Sequence, residues 1–167
     1  SLRMFDYHIG VSDAMVQLLI SRGFNPQKLF SIYNGVAFPP EKPSLSRGEY
    51  LESLGVSYDE DTVVFGIAAR LNPVKDIATL ICGFAGACRK CPNIRLVIAG
   101  DGEERQMLES LAKETCPAGS VVFAGWVKDT DSFYHAIDVN MLTSLSEGAP
   151  YALVEGARMR CATIRMC

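Results

Sequence analysis

The sequence predicts an α/β fold, a Rossmann-like parallel sheet with helices on both faces. Short runs of continuous apolar residues, such as Thr62–Ala69 and Ile94–Ala99, alternate with segments whose apolar residues recur at helical spacing. Continuous apolar runs are typical of parallel strands, which are buried on both faces. Strands that alternate with helices indicate right-handed crossovers. Because ligands of such sheets bind at the carboxyl ends of the strands, we expect the site there.

The composition is that of one ordinary globular domain with enough length to bury a core. The chain has 167 residues, of which 49% are hydrophobic and 21% charged, and a formal net charge of -3. This charge gives no general attraction to nucleic acid. No stretch is long and apolar enough to span a bilayer, and Ser1–Asp6 does not resemble the start of a signal peptide. We therefore expect a cytoplasmic protein without a nucleic-acid partner, and membrane association only through a domain outside this chain.

The cysteines leave a metal or redox site as an alternative. Cys88 and Cys91 form a C-x-x-C pair, which is found in zinc and redox sites. No second pair follows, and the histidines are limited to His8 and His135, so four zinc ligands are hard to assemble. The pair also lies at the end of a predicted helix, whereas reactive thiolates favour a helix start. We expect no metal and no cofactor, and reduced cysteines that pack as small apolar residues.

The first part of the chain, residues 1–38, is predicted to contain isolated elements that cannot bury a face by themselves. They are followed by a linker rich in proline. In chain order we expect the end of a strand at His8–Ser12, a helix at Asp13–Arg22 stopped by Gly23, a strand at Leu29–Tyr33, and the linker at Pro39, Pro40 and Pro43.

Residues 39–167 are predicted to hold the main sheet. Ser46 and Glu49 form a capping box that begins a helix ending near Gly55, and Asp76 is expected to cap a later helix. The other elements follow in order: strand Thr62–Ala69, a helix with Ile77, Leu80, Ile81, Phe84, Ala85 and Cys88 inward, strand Ile94–Ala99, helix Glu103–Glu114 with Met107, Leu108, Leu111 and Ala112 inward, strand Val121–Ala124, helix Ser132–Ile137, strand Val139–Leu142, a helix from Pro150, and strand Cys161–Met166.

The segment from Glu147 to Glu155 is the most informative part of the chain. Gly148 and Ala149 leave the backbone open to close approach, and Pro150 suits the first position of a helix. The free N–H groups of a helix start form an anion site, supported by the helix dipole. A diphosphate site flanked by two carboxylates suits a sugar nucleotide, because the N–H groups bind phosphate and the carboxylates bind hydroxyls.

Several further segments match the motifs of one family in order and spacing. With its E-x7-E pattern at Glu147 and Glu155, the chain resembles the retaining GT-B glycosyltransferases of family 4, the glycosyl transferases group 1, from about Val11 to Ile164. The matching segments are Ile32–Val36 (I-x-N-G-V), Ala69–Asp76 (G-R-L-x-x-x-K), Ile98–Gly102 (I-x-G-x-G) and Val122–Val127 (V-x-F-x-G-x-V).

The resemblance implies a domain organisation and a set of partners. Residues 39–167 would be the donor-binding, C-terminal domain of the GT-B fold, and residues 1–38 the tail of an acceptor domain with the connection between the two. The donor would be a UDP-, GDP- or ADP-sugar. The acceptor, a glycan, a lipid or a small molecule, would bind to the N-terminal domain.

The resemblance also implies roles for individual residues. Arg70 and Lys75 would stabilise the departing diphosphate, and Glu147 would bind the donor sugar, which makes these the catalytic residues. Glu155 would bind the ribose hydroxyls. No protein nucleophile is assigned. The other donor contacts would come from Gly100, Gly102, Trp126, Val127, Gly148, Ala149, Pro150, Tyr151, Ala152 and Leu153.

The residues themselves leave other functions open. The carboxylates could form a glycosidase pair, although such a pair need not flank a phosphate site. Gly100 and Gly102 resemble part of a dinucleotide fingerprint, but Arg105 stands where a third glycine belongs. A nucleotide-binding module without transfer activity, and another GT-B enzyme such as a sugar-nucleotide epimerase, remain alternatives.

The end of the chain departs from the family pattern E-A-M-A-x-G-x-P-V. Gly156 replaces alanine, Arg160 replaces a glycine suited to a left-handed helix end, and Ala162 replaces proline. From the missing closing units we expect a domain truncated at its C-terminal end. We also expect that this chain alone does not transfer sugar efficiently.

Overall fold

A computed structural model of the chain describes residues 5–38 and 42–165. Backbone contacts group these residues into two units. The first unit holds the described residues up to Ala37 together with Glu147–Tyr151, and the second holds those from Phe38 to Ser146 and from Ala152 onward. Of the predicted features, Pro39 and Pro40 of the linker and Met166 of the last strand lie outside the described residues.

The first unit contains a pair of short parallel strands joined by a helix. Strand β1 is His8–Gly10, helix α1 is Asp13–Ser21, and strand β2 is Leu29–Ser31. The strands pair in parallel, with His8 opposite Leu29. Both strands are shorter than the sequence predicts. The helix ends, as expected, shortly before Gly23, which has a φ of 88°.

The second unit contains a five-stranded parallel sheet. Its strands are β3 at Val63–Ala68, β4 at Ile94–Ala99, β5 at Val121–Gly125, β6 at Val139–Leu142 and β7 at Ala162–Arg165. They lie in the order β5-β4-β3-β6-β7. The chain runs outward from β3 to β5 and then returns to the other side of β3. The switch point between β3 and β6 is where sheets of this kind form a ligand crevice at their carboxyl ends.

Helices cover both faces of this sheet, as predicted. They are α2 at Arg47–Ser53, α3 at Ile77–Cys88, α4 at Arg105–Thr115, α5 at Thr130–Ala136 and α6 at Tyr151–Arg158. Side chains of α3 and α4 form one apolar cluster with the sheet, and those of α2 and α5 form a second. Within the described part of the chain, none of the helices is long and apolar enough to cross a membrane.

Helix α3 follows its predicted periodicity closely. Its buried residues are those that the helical spacing places inward: Ile77, Leu80, Ile81, Phe84, Ala85 and Cys88. Burial of each large apolar side chain contributes about 1.5–3 kcal/mol. The same expectation is only partly met in α4, where Leu108 and Ala112 are buried but Met107 is 47% exposed. Met107 precedes Leu108 by one position and therefore turns toward solvent.

Two predicted helix starts differ from the structure. Asp76 precedes α3, but its side chain makes no capping hydrogen bond, and its backbone has a left-handed conformation with a φ of 47°. Asn72 caps the short 3-10 helix Pro73–Lys75 that precedes α3, since its side chain accepts a hydrogen bond from the Lys75 amide at 3.3 Å. Helix α6 begins at Tyr151, so Pro150 directly precedes the helix.

An ion pair holds the amino ends of β3 and β6 to α2. Arg47 binds both carboxylate oxygens of Asp138, at 2.8 and 2.9 Å. The guanidinium also donates to the carbonyls of Thr62 and Ala136, and Asp138 accepts a hydrogen bond from the Val64 amide at 2.7 Å. The capping box of Ser46 and Glu49, present as predicted, begins the helix that carries Arg47.

At the opposite, carboxyl edge, the backbones that leave β3 and β4 touch each other. The Ala69 amide donates to the Ala99 carbonyl at 2.9 Å, and the Leu71 amide donates to the Asp101 carbonyl at 3.0 Å. A Cβ at Gly100 would lie 1.8 Å from the Ala69 oxygen, and one at Gly102 would lie 2.2 Å from the Leu71 oxygen. Both glycines are therefore required by the contact between the two loops.

We expect Gly100→Ala to lower the free energy of unfolding by about 3 kcal/mol or more, because the clash is with backbone and adds to the strain of a positive φ. Urea denaturation measures the loss. Gly119→Ala is the matched control, since Gly119 has a φ of 74° but a Cβ there would meet no atom within 4 Å apart from its chain neighbours. An equal loss in both variants would remove the close approach as the cause.

The residue at which α6 gives way to the next strand has a left-handed backbone conformation. Arg160 occupies the position where a glycine is expected, and it has a φ of 61°. Its amide nevertheless donates to the Ala157 carbonyl at 3.0 Å, so the helix ends as it would with glycine.

We expect Arg160→Gly to raise the free energy of unfolding by about 0.5–1 kcal/mol, because glycine adopts this conformation without a Cβ clash but loses more chain entropy. Thermal or urea denaturation measures the change. Arg160→Ala keeps the unfavourable φ and should bring no gain. If the alanine variant were stabilised as much as the glycine variant, the side chain rather than the backbone would be responsible.

Candidate functional site

A cleft of about 260 Å³ lies at the carboxyl ends of β3, β4 and β5. Each of these strands contributes residues at its end or directly after it, and the first turn of α5 adds two more lining residues. The lining residues are Ala68, Ala69, Arg70, Ala99, Gly100, Trp126, Val127, Thr130 and Phe133. The cleft therefore brings together four residues that the sequence predicts for the site, namely Arg70, Gly100, Trp126 and Val127.

Arg70 supplies a positive charge at the rim of this cleft. Its side chain is 71% exposed, and its guanidinium lies 3.4 Å from a carboxylate oxygen of Glu103. An exposed ion pair of this length contributes little to stability, because water screens both partners. The guanidinium can therefore exchange this contact for a bound anion at low cost.

Trp126, which also lines the cleft, presents an aromatic ring to solvent. It is 78% exposed, which is unusual for so large an apolar side chain. The preceding residue, Gly125, has a φ of 68°, and the pairing of β4 with β5 shifts register between Ile98 and Ala99. This irregularity ends β5 and turns Trp126 and Val127 toward the cleft.

The Gly102 position has a structural explanation and does not line the cleft. Its missing Cβ makes room for the Leu71 carbonyl, whereas Gly100 both makes room for Ala69 and lines the cleft. Arg105, which stands at the third glycine of a dinucleotide fingerprint, pairs with Asp101 and Glu109. The hydrogen bond to Glu109 raises the pKa of Arg105 above its usual value.

The loop that carries Lys75 is tied to the segment that follows β6. The Thr143 hydroxyl donates to the Lys75 carbonyl at 2.7 Å, and the Leu145 amide donates to the Val74 carbonyl at 2.9 Å. Asp76, in its left-handed conformation, follows directly. Strained backbone of this kind persists where neighbouring contacts hold it, and it is often found at functional sites. These contacts span the switch point between β3 and β6.

The segment Glu147–Tyr151 belongs to the first unit. The Asn34 side-chain amide donates to the Ala149 carbonyl at 3.1 Å, which links this segment to the predicted I-x-N-G-V motif. A Cβ at Gly148 would lie 3.0 Å from the Met15 methyl carbon and 3.4 Å from Val11. The side chain of Met15 thus occupies part of the space that the sequence predicts to be open. That Glu147 borders the same cleft as Arg70 stays a prediction.

Helix α6 carries Ala152, Leu153 and Glu155, which are all half-buried. The Glu155 carboxylate lies close to the buried hydroxyl of Tyr134. Burial, together with the negative charge of Glu155, raises the pKa of Tyr134 above its usual value. Tyr134 therefore stays protonated beside the carboxylate.

Other predicted and unpredicted residues complete the description. Thr130 and Phe133 line the cleft and were not predicted; the helix start that follows the V-x-F-x-G-x-V segment is the signal that could have identified them.

His135 is exposed, Cys88 is buried and Cys91 is exposed. Over residues 5–38 and 42–165, no three or more His, Cys, Asp or Glu side chains are grouped so that they could hold a metal ion.

Sequence comparison finds a family profile and curated relatives. The profile described as "Glycosyl transferases group 1" matches residues 55–165. Putative glycosyltransferase EpsD of Bacillus subtilis is 30% identical over 135 residues, which is 80% of this chain and 35% of that protein. UDP-Gal:alpha-D-GlcNAc-diphosphoundecaprenol alpha-1,3-galactosyltransferase of Escherichia coli is 29% identical over 138 residues, 78% of this chain and 34% of that protein. The chain thus spans about a third of the length of these relatives.

Structural comparison finds the same arrangement of strands and helices in solved proteins. Anabaena Alr3699/HepE, crystallised in complex with UDP-glucose, aligns with a TM-score of 0.82 at 24% sequence identity. The alignment covers 98% of this chain and 45% of that protein. At this identity the likeness establishes the fold.

Proposed function

Because the chain belongs to the glycosyl transferases group 1 family, we propose that it supplies the donor-binding half of an enzyme that transfers a sugar from a nucleotide-sugar to an acceptor. The predicted GT-B-like α/β fold is confirmed by the structural neighbours. The observation that carries the proposal is the cleft at the carboxyl ends of β3, β4 and β5, which joins a cation, a glycine and an exposed aromatic ring. These are groups that bind a phosphate and a nucleobase.

The size of the cleft indicates which part of the donor it would hold. Pockets for ligands of ordinary size measure about 300–1,000 Å³, and this cleft measures about 260 Å³. It suits a base and part of a ribose rather than a whole sugar nucleotide. Trp126 would stack on the base, a contact that contributes about 1–3 kcal/mol. Val127 and the backbone at Gly100 would border the same base.

The diphosphate is the part of the donor that gains negative charge in the transition state. Arg70 and Lys75 would stabilise that charge, since fixed cations act most strongly where charge develops. The planar guanidinium of Arg70 can bind two phosphate oxygens at once, and Lys75 adds a compact point charge. The backbone N–H groups from Gly148 to Leu153 would add dipoles at the helix start.

The two carboxylates would bind hydroxyl groups of the donor. Glu147 would hold the transferred sugar and Glu155 the ribose, in accordance with the E-x7-E pattern. We also propose that the enzyme belongs to family 4 and retains the anomeric configuration, with the acceptor attacking from the face that the diphosphate leaves. No side chain is assigned as a nucleophile.

The donor is proposed to be a nucleoside diphosphate sugar, with UDP as the first candidate and GDP and ADP as alternatives. Support for UDP comes from relatives: Alr3699/HepE was crystallised with UDP-glucose, and the Escherichia coli enzyme is named for UDP-Gal. The acceptor, a glycan, a lipid or a small molecule, would bind to a further domain.

We expect Arg70→Ala to weaken binding of UDP, GDP or ADP by about 1.5–3 kcal/mol, the contribution of a hydrogen bond to a charged group. Trp126 is the single tryptophan of the chain, so its fluorescence reports a ligand in the cleft directly. Arg89→Ala is the matched control, since Arg89 is exposed beyond the end of α3. Equal affinity of wild type and Arg70→Ala would remove Arg70 from the site, and a wild type that binds none of the three nucleotides would contradict donor binding.

The catalytic role of Glu147 requires a longer protein that shows transfer activity. There we expect Glu147→Gln to reduce kcat by about a hundredfold, or about 2.7 kcal/mol, with a smaller effect on donor affinity. The amide keeps the shape and loses the charge. Glu114→Gln, at an exposed position of α4, is the control. If turnover survived in the Glu147 variant, a nucleotide-binding module that contributes no catalytic carboxylate would become the better description.

A further inference from the structure

Asn140 is a polar residue in the middle of strand β6, and its side chain is fully buried. Its side-chain nitrogen donates to the Ala152 carbonyl in the first turn of α6 at 2.9 Å. The atom that faces Ala152 must be the nitrogen, because two oxygens at this distance would repel each other. The other atom, Oδ1, has no hydrogen-bond partner in the described part of the chain. Burying an unpaired carbonyl oxygen is unfavourable.

Helix α6 has a glycine against the Asn140 side chain, one turn after Ala152. Gly156 is buried, and a Cβ there would lie 2.5 Å from Nδ2 of Asn140 and 3.1 Å from its Cγ. Ala152 and Gly156 are four positions apart, so they share one face of the helix. Glycine is a poor residue for a helix interior, yet alanine would not fit here. The Asn140 amide therefore occupies the space that a helical side chain would otherwise fill.

These two features fix how α6 lies on the sheet. The hydrogen bond sets the height of the helix along β6, and the missing Cβ sets its rotation and its distance from the strand. The neighbouring residue in the helix is Glu155, whose direction depends on that rotation. Arg158 pairs with Asp131 at the other end of the helix, which adds a polar contact to the seating of α6.

We propose that Asn140 and Gly156 form a positioning pair that fixes where the Glu155 carboxylate, which lies beside the Tyr134 hydroxyl, can meet the ribose of the donor. The inference rests on the proposed function, in which Glu155 binds the ribose hydroxyls. Asn140 itself touches no donor atom in this scheme and acts through α6. An apolar pair at these two positions, such as valine and alanine, would avoid both the unfavourable burial of Oδ1 and the unfavourable glycine in the helix.

If Asn140 and Gly156 only stabilised the fold, their substitution would affect the binding of every ligand equally. This difference separates a structural role from a positioning role. The readout is the ratio of affinities for UDP and 2′,3′-dideoxy-UDP, which differ only in the ribose hydroxyls. If UDP is not the nucleotide bound most tightly, the same comparison is made with GDP or ADP and its dideoxy form. Loss of folded protein lowers both affinities and leaves the ratio unchanged, whereas a misdirected Glu155 lowers the ratio.

We expect the wild-type chain to prefer UDP by about tenfold, the factor that one hydrogen bond to a charged group contributes. Gly156→Ala should bring the ratio close to one, and so should Asn140→Ala, which removes the bond. The double variant should show a higher ratio than either single variant without reaching that of the wild type, because removing the amide gives the new Cβ its space while the bond to Ala152 stays broken. The remaining Cβ of residue 140 would lie 3.3 Å from the new carbon, which a small shift relieves.

Two control variants make the result decisive. Gly83→Ala places the same change on α3, where a Cβ would meet no atom within 4 Å outside its own helix backbone, and should leave the ratio unchanged. Glu155→Gln tests the carboxylate itself. If Glu155→Gln abolishes the preference but Gly156→Ala keeps it, the positioning pair is refuted while the role of Glu155 stands.

If the wild type shows no preference for the ribose hydroxyls, the proposed role of Glu155 fails. Amide hydrogen exchange then tests separately whether Asn140 and Gly156 position α6. We then expect faster exchange over Tyr151–Arg158 in Gly156→Ala and, in the double variant, exchange that is closer to that of the wild type. Exchange in α6 that does not change in any variant would overturn the pair as well.

Discussion

The contact between the loops that leave β3 and β4 is the constraint on which the cleft depends. Two glycines lie so close to the facing backbone that a side chain would overlap the carbonyl oxygens of Ala69 and Leu71. The hydrogen bonds of the parallel ladder therefore continue beyond the last paired residues of both strands. The continued ladder holds Arg70 at the edge of the cleft on a rigid backbone. A fixed backbone at this position lowers the entropy that is lost when the side chain binds an anion.

The alternation of apolar runs and periodic segments was enough to predict the sheet and its helices. Strands such as Ile94–Ala99 are continuous in hydrophobicity because both of their faces are covered, and their limits follow directly from the sequence. The errors have local causes. Asp76 has the right side chain for a cap, but the preceding turn forces its backbone into a left-handed conformation. Met107 has an apolar side chain on a face that the helix turns to solvent.

The site was predictable to a different degree in its different parts. Arg70, Gly100 and Trp126 follow strand ends, so the topology of a parallel sheet brings them together once the strands are correct. Phe133 is as buried as any core residue, and its contribution to the cleft depends on where α5 crosses the sheet. Asn140 could not be identified, because a single polar residue in an apolar strand gives no hint of which helix carbonyl it meets.

The two edges of the sheet have different roles: the amino edge stabilises the fold and the carboxyl edge carries the cleft. At the amino edge, Arg47 and Asp138 join α2 to the starts of β3 and β6 through hydrogen bonds that involve no residue of the cleft. Residues in the loops at the carboxyl edge can therefore be substituted without weakening the hydrogen bonds of Arg47 and Asp138. Over evolutionary time, this separation allows the residues of the carboxyl edge to change and bind new ligands, while selection on the amino edge maintains the fold.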